Sequence, residues 1–229
     1  MGPLPGVTIR PLTDQCSRVY ERREHALFGM SPCNSYFSKD RIRRMLQWGL
    51  QEFESVHVFL PDYATRFTFL ALGYEQRAAE KKARTETNAL RNRIKRALRS
   101  LGVVDTDALI IDWNRIREEP AYLTLLARAE ETFETDTAFR RACLDASREV
   151  IKHQRLHGRM TEEARLRIAV RYVLLKMPTF LDTAAIIGAR SSVRCYHRPA
   201  AMDRALFAHR YSLVPAAHQG YLQVEFDLP

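Results

Sequence analysis

Apolar residues along this chain fall into short unbroken runs and longer helical stripes. Residues 24–30, EHALFGM, read as a short buried strand. The following SPCNSYFSKDRIRRMLQWGLQEFE reads as a loop and then a helix with Ile42, Met45, Leu46 and Phe53 facing inward. Further strands are predicted at 56–60, ending at Pro61-Asp62, at 108–112 (ALIID) and in the alternating C-terminal GYLQVEFDL. A helix is predicted over 77–101, where Ala83, Leu90, Ile94, Ala97 and Leu101 share one narrow face. Others are predicted at about 121–156 and at 161–177, where Pro178 forces a stop. Strands alternating with helices imply an α/β fold with a doubly wound, largely parallel sheet. Ser31 then follows the carboxyl end of a strand, the edge where such sheets bind ligands.

The 229 residues suit one domain spanning 1–229, with the helix at 77–101 as an arm of it. A composition of 46% hydrophobic and 28% charged residues is that of a globular protein. No apolar run could span a bilayer, and MGPLPGVTIR lacks the marks of a signal peptide, so a cytoplasmic protein without a membrane partner is expected. A monomer is expected. Cys16, Cys33, Cys143 and Cys195 have no zinc or redox spacing, and the seven histidines form no H-E-x-x-H pair, so no metal is expected.

Charge alters the picture more. The formal net charge of +9 suggests a polyanionic partner. Nine Lys or Arg against Glu80 and Glu86 lie between positions 77 and 99. Arg84, Arg91 and Lys95 form a stripe, with Arg77, Lys81 and Arg99 alongside it. Such a run is commonly a solvated face; the scarcity of acids favours a nucleic-acid backbone.

Residue logic alone leaves the chemistry open. Ser31 is also a favoured helix-entry type, no G-x-S-x-G surrounds it, and Cys33 is an equally nameable nucleophile.

The segment HALFGMSPCNSYFS at 25–38, followed by a helix containing LQW, resembles the nucleophile region of cyclodipeptide synthases. RYVLLKMPTFLDT at 171–183, SSVRCYH at 191–197 and the E-x-P-x-Y at 118–122 are similar to further family blocks, in family order, over about 180 residues. The resemblance implies a Rossmann-like domain akin to class I tyrosyl- and tryptophanyl-tRNA synthetases, here without a HIGH-type signature or KMSKS loop. It further implies two aminoacyl-tRNAs as partners and no cofactor. The serine, here Ser31, takes the first aminoacyl group as an ester; an amine from the second aminoacyl-tRNA attacks it, and the dipeptide closes to a 2,5-diketopiperazine. Tyr196 matches the candidate proton shuttle, and Tyr172 the tyrosine that helps hold the substrate amino group. Gly29, Asn34 and Tyr122 match positions around the same site. Lys81, Arg84, Arg91, Lys95 and Arg99 are the expected tRNA-binding residues. The alternative is a noncatalytic tRNA- or RNA-binding homologue on the same fold.

One position departs from the pattern. Four residues after Tyr172, where typical members carry a carboxylate for the substrate ammonium, stands Lys176, on the same helix face with reversed charge. Two cations about 4 Å apart repel by roughly 4 kcal/mol at an effective dielectric near 20. Three explanations fit: an altered substrate set, in which Lys176 could meet an acidic side chain; a displaced carboxylate such as Asp182; or lost activity. Retention of Ser31, Asn34, Tyr172 and Tyr196 together favours the first.

Overall fold

Every residue of the apolar run at 25–29 is buried, because both faces of the sheet it enters are covered by helices. The computed structural model describes residues 6–152 and 154–226. Its strands are β1 (Val7–Pro11), β2 (His25–Gly29), β3 (Ser55–Phe59), β4 (Ile110–Ile111), β5 (Ser192–Tyr196) and β6 (Gln219–Phe226), in the order β1-β6-β5-β2-β3-β4. All neighbours are parallel except β1, which closes one edge antiparallel to β6. The first helices are α1 (Asp14–Tyr20), α2 (Lys39–Glu52), α3 (Asp62–Ala71), α4 (Gln76–Ser100) and α5 (Trp113–Ile116). They are followed by α6 (Pro120–Thr135), α7 (Thr137–Ile151), α8 (Glu162–Lys176), α9 (Pro178–Leu181), α10 (Thr183–Ile187) and α11 (Ala201–Phe207).

Strand periodicity divides the core in two. Ala26, Phe28, Val56, Val58 and Val193 pack against apolar residues of α2 and α4, whereas Leu27, Phe59, Ile111 and Tyr221 meet α6, α8 and α11. Phe28 is fully buried and meets Trp48 edge-on at 6.0 Å. A Cβ on Gly49 would lie 2.5 Å from the Phe28 ring, which explains a glycine inside α2 despite a helix-propensity cost of about 1 kcal/mol.

The structure differs from the pattern in several places. The stretch at 121–156 is two helices, because Asp136 leaves the helical region and caps α7, accepting the Phe139 N–H at 3.0 Å. The same carboxylate accepts from the Ser212 backbone and hydroxyl, both at 2.9 Å. The predicted strand at 108–112 shrinks to Ile110–Ile111, since Asp112 is already the cap of α5. The helix expected at 161–177 is α8, which ends at Lys176 ahead of Pro178, and Pro178 then opens the short helix α9. The C-terminal strand is found to Phe226, and its last predicted residues, Asp227 and Leu228, lie outside the described residues. No helix among the described residues is long and apolar enough to cross a membrane.

A chain of polar groups, buried at Ser192 and His25 and reaching the surface at Arg115, crosses the amino ends of β5, β2 and β3. His25 Nδ1 lies 2.8 Å from Ser192 Oγ, His25 Nε2 lies 3.0 Å from His57 Nδ1, and His57 Nε2 lies 3.4 Å from the Arg115 guanidinium. Burial and then the neighbouring His57 hold His25 down to about 3; burial and then Arg115 hold His57 down to about 4. The unfolded chain therefore binds more protons than the folded one below the ordinary histidine pKa of about 6.5. Stability is complete above that pH and declines as the solution is acidified towards pH 4, by at most about 1.4 kcal/mol per pH unit for the buried His25. The urea midpoint is expected to fall between pH 7 and pH 5 and to fall less in His57→Gln; an unchanged wild-type midpoint would contradict this.

Candidate active site

The chain runs from β2 to β3 and β4 on one side of β2, and from β5 to β6 on the other, so a crevice opens at the carboxyl ends of β2 and β5. Phe28 and Cys195 are paired in the parallel ladder between these strands. Gly29 ends β2, Tyr196 ends β5, and Ser31 follows Gly29 by two residues. This pairing brings residues 165 positions apart to a distance of 3.3 Å, between Ser31 Oγ and the Tyr196 hydroxyl. Asn34 donates through Nδ2 to the same phenol oxygen at 3.4 Å. Its Oδ1 accepts the Tyr36 N–H at 2.9 Å and its carbonyl accepts the Phe37 N–H at 3.2 Å, which ties the loop into a tight turn. Tyr172, on α8, is a second phenol close to Ser31.

Burial raises both phenols, and the Ser31 hydroxyl partly opposes the rise. Each remains a neutral O–H that can donate and accept near pH 7. Cys33 adopts a left-handed backbone (φ 61°) at an exposed position, and partial desolvation, then Glu86, pushes its thiol up to about 11, so thiolate is scarce at neutral pH. His197 stacks on Tyr36 at 3.6 Å, and burial, then Arg41, holds its imidazole down to about 4. Beside the loop, a cavity of about 440 Å³ is lined by Tyr36, Arg41, His197, Arg198, Gln223, Glu225 and Phe226. No cluster of three metal-ligating side chains occurs among the described residues.

The electrostatics beneath Ser31 are unusual. Lys176 Nζ sits 4.1 Å from the Tyr172 ring centroid, and burial, then Arg194, lowers its pKa to about 8. Arg194 projects from β5 and is only 4% exposed. Its Nη1 donates to Thr179 Oγ1 at 2.9 Å, its guanidinium carbon lies 4.0 Å over the Phe180 ring, and its Nε is buried without a hydrogen bond. Asp203 is the acid whose field reaches both cations; it is buried, accepting the Ala200 N–H at 2.8 Å and the Tyr221 hydroxyl at 3.3 Å. Arg194 and Asp203 escaped the sequence pattern. The signal for Arg194 was present, a lone charge inside the apolar SVRCY, whereas nothing in the pattern marked Asp203.

Other expected residues fall less directly. Tyr122 is fully buried and its hydroxyl donates to the Leu175 carbonyl at 2.9 Å, so it braces α8 one residue before Lys176. The space above Gly29 is filled by Arg194, whose Nη2 would lie 2.7 Å from an added Cβ. Asp182 is not a displaced partner for this site. It caps α10 through the Ala185 N–H at 2.9 Å and pairs with His218 at 2.9 Å, beside Gln219 at the amino end of β6.

A model of the cyclodipeptide synthase family matches residues 7–225. The chain belongs to the cyclodipeptide synthase family. A cyclo(L-leucyl-L-leucyl) synthase from Bacillus subtilis (strain 168) is 35% identical over 218 residues, covering 93% of this chain and 87% of that protein. A crystal structure of a cyclodipeptide synthase from Bacillus thermoamylovorans superposes with a TM-score of 0.89 at 28% identity, covering 98% of each chain. A Mycobacterium tuberculosis structure, described as demonstrating that cyclodipeptide synthetases are related to type I tRNA synthetases, gives a TM-score of 0.82 at 28% identity, over 97% of this chain and 94% of that one.

In this cyclodipeptide synthase the basic helix α4 is only partly open. Lys81, Arg84 and Arg99 are exposed, as are Arg77 and Arg96. Arg91 instead pairs with Asp112 at 2.8 Å and with Asp62 at 3.7 Å, and Lys95 pairs with Asp107 at 2.7 Å. The acids that seemed scarce along α4 are supplied by the turns after β3 and before and after β4. Arg93 donates to the Phe37 carbonyl at 2.6 Å, joining α4 to the loop that carries Ser31.

The close approach of Arg194 to Gly29 is testable. Gly29→Ala is expected to destabilise the protein by about 1–3 kcal/mol, because the guanidinium is held between Thr179 and Phe180 and cannot swing aside freely. In an Arg194→Ala background the loss should shrink. Urea denaturation of the four proteins in the cycle measures the coupling, and strictly additive effects would show that the contact does not matter.

Proposed function

We propose that this synthase is tRNA-dependent and joins the amino acids of two aminoacyl-tRNAs into a 2,5-diketopiperazine by a ping-pong route through an ester on Ser31. The observation that carries this reading is the contact of the Ser31 hydroxyl with the neutral phenol of Tyr196 at 3.3 Å, at the carboxyl edge of β2 and β5, with the phenol of Tyr172 near it. An aminoacyl-tRNA is already an activated ester, so the serine needs position and a route for its proton. Ser31 Oγ attacks the ester carbonyl, the bond to the ribose oxygen breaks, and the serine proton passes through Tyr196 to the departing ribose hydroxyl. Attack of one amino group on the other acyl ester then forms the first amide and frees one alkoxide, which takes a proton. The remaining amine attacks the remaining ester, closing the six-membered ring and freeing the second hydroxyl. Proton relay of this kind contributes about 10²- to 10⁴-fold. Asn34, hydrogen-bonded to the Tyr196 oxygen, keeps that phenol aimed at Ser31.

Expression in a bacterial host with mass spectrometry of the medium tests the activity. Ser31→Ala is expected to abolish the cyclic product, and Cys33→Ala to leave turnover largely intact. Acid quenching with a labelled aminoacyl-tRNA should place the label on Ser31; label on Cys33 would overturn the assignment. A noncatalytic RNA-binding role on the same fold predicts no cyclic dipeptide with any aminoacyl-tRNA.

The exposed face of α4 supports contact with the tRNA backbone, with Lys81, Arg84 and Arg99 as contact residues. Replacing all three with Ala is expected to weaken tRNA binding and to flatten its log–log salt dependence by about 0.7 to 0.9 per lost phosphate contact. Arg91→Ala should act differently, lowering the urea midpoint by removing the clamp on Asp62 and Asp112 while leaving the salt slope nearly unchanged. Unchanged affinity and slope in the triple variant would make α4 a solvated surface.

A further inference from the structure

We infer that the acyl group loaded on Ser31 carries an acidic side chain, so that aspartyl- or glutamyl-tRNA is the first substrate and Arg194 and Lys176 are its readers. The inference rests on the acyl-ester reading above and deepens it.

Both cations adjoin the reacting groups. Arg194 reaches up beside Gly29, and the site of a Cβ on that glycine is only 3.4 Å from the Tyr196 ring. Lys176 lies 4.1 Å over the ring of Tyr172, the second phenol near Ser31. Neither cation has a carboxylate within ion-pair distance among the described residues. A guanidinium has five N–H donors; Arg194 makes one hydrogen bond, to Thr179, and its Nε is buried and unpaired. The Phe180 ring and Thr179 orient this group without neutralising it.

Asp203 balances at most one of the two charges, and its carboxylate is already engaged by the Ala200 N–H and the Tyr221 hydroxyl. A buried charge left without a partner is destabilising, and one further carboxylate would supply the partner missing here. A ligand carboxylate can take a forked pair of hydrogen bonds from Arg194 and a third from Lys176. An apolar side chain in the same place would leave the buried Arg194 and the half-buried Lys176 without a carboxylate. The positive field also favours the neutral form of the acyl group's own amine, the form required when it attacks an ester.

The test uses the full-length protein and one labelled aminoacyl-tRNA at a time: glutamyl, aspartyl, leucyl or phenylalanyl. Single-turnover labelling of Ser31 is followed by acid quench and mass spectrometry. Labelling from an acidic aminoacyl-tRNA is expected to be about a hundredfold faster than from the leucyl one. Arg194→Met should remove most of that preference, and Lys176→Leu should reduce it. Arg194→Gln, which keeps a polar group of similar length, is a second variant in case the methionine protein fails to fold. Wild-type labelling from leucyl- or phenylalanyl-tRNA at an equal or greater rate overturns the charge inference and leaves the seryl ester standing. Absence of label from every aminoacyl-tRNA overturns the acyl-ester reading and this inference with it.

Discussion

The parallel ladder between β2 and β5 sets the geometry of the site. A parallel strand pair aligns its carboxyl ends, so whatever follows each strand emerges on the same edge of the sheet. Ser31 follows β2 and Tyr196 terminates β5; their hydroxyls meet because Phe28 and Cys195 are in register. The same register sets the Arg194 guanidinium beside Gly29 and turns it towards α8, the helix that delivers Tyr172 and Lys176. A slip of one residue would turn Arg194 into the apolar core beneath α2 and α4.

The fold accommodates the buried Arg194 and the half-buried Lys176 through their surroundings. Phe180 offers the negative face of its ring to Arg194, Thr179 accepts one N–H, and Tyr172 does the same service for Lys176 through its ring. Tyr122 fixes the backbone of α8 from below through the Leu175 carbonyl, so the Lys176 side chain starts from a rigid base. These contacts come from α6, α8, α9 and β5, and they converge only in the folded chain.

The parts of this arrangement legible in the sequence are those carried by local pattern. The buried run at 25–29, the long basic helix and the strand at the C-terminus follow from periodicity, and the motif around Ser31 marked the site edge. Long-range pairing was not legible. Arg91 and Lys95 looked available because their partners Asp62, Asp112 and Asp107 lie on other elements. Asp136 interrupts a continuous helical pattern without help from glycine or proline, since its side chain caps the next helix and also holds Ser212. β5 was hidden by Arg194, whose charge breaks the apolar run that would have marked it, yet that charge is the feature that sets this site apart.

The hydrogen bond from Arg93 to the Phe37 carbonyl ties α4 to the loop that carries Ser31. The exposed Arg84 stands nine residues before Arg93 on that helix, about 14 Å along its axis at a rise of 1.5 Å per residue. Under the tRNA-binding reading proposed above, a strand of phosphates seated on Arg84 would lie one such helix length from the residue that holds the serine loop. Partners would then be sorted by how far their reactive end extends past the grip, whatever their base sequence.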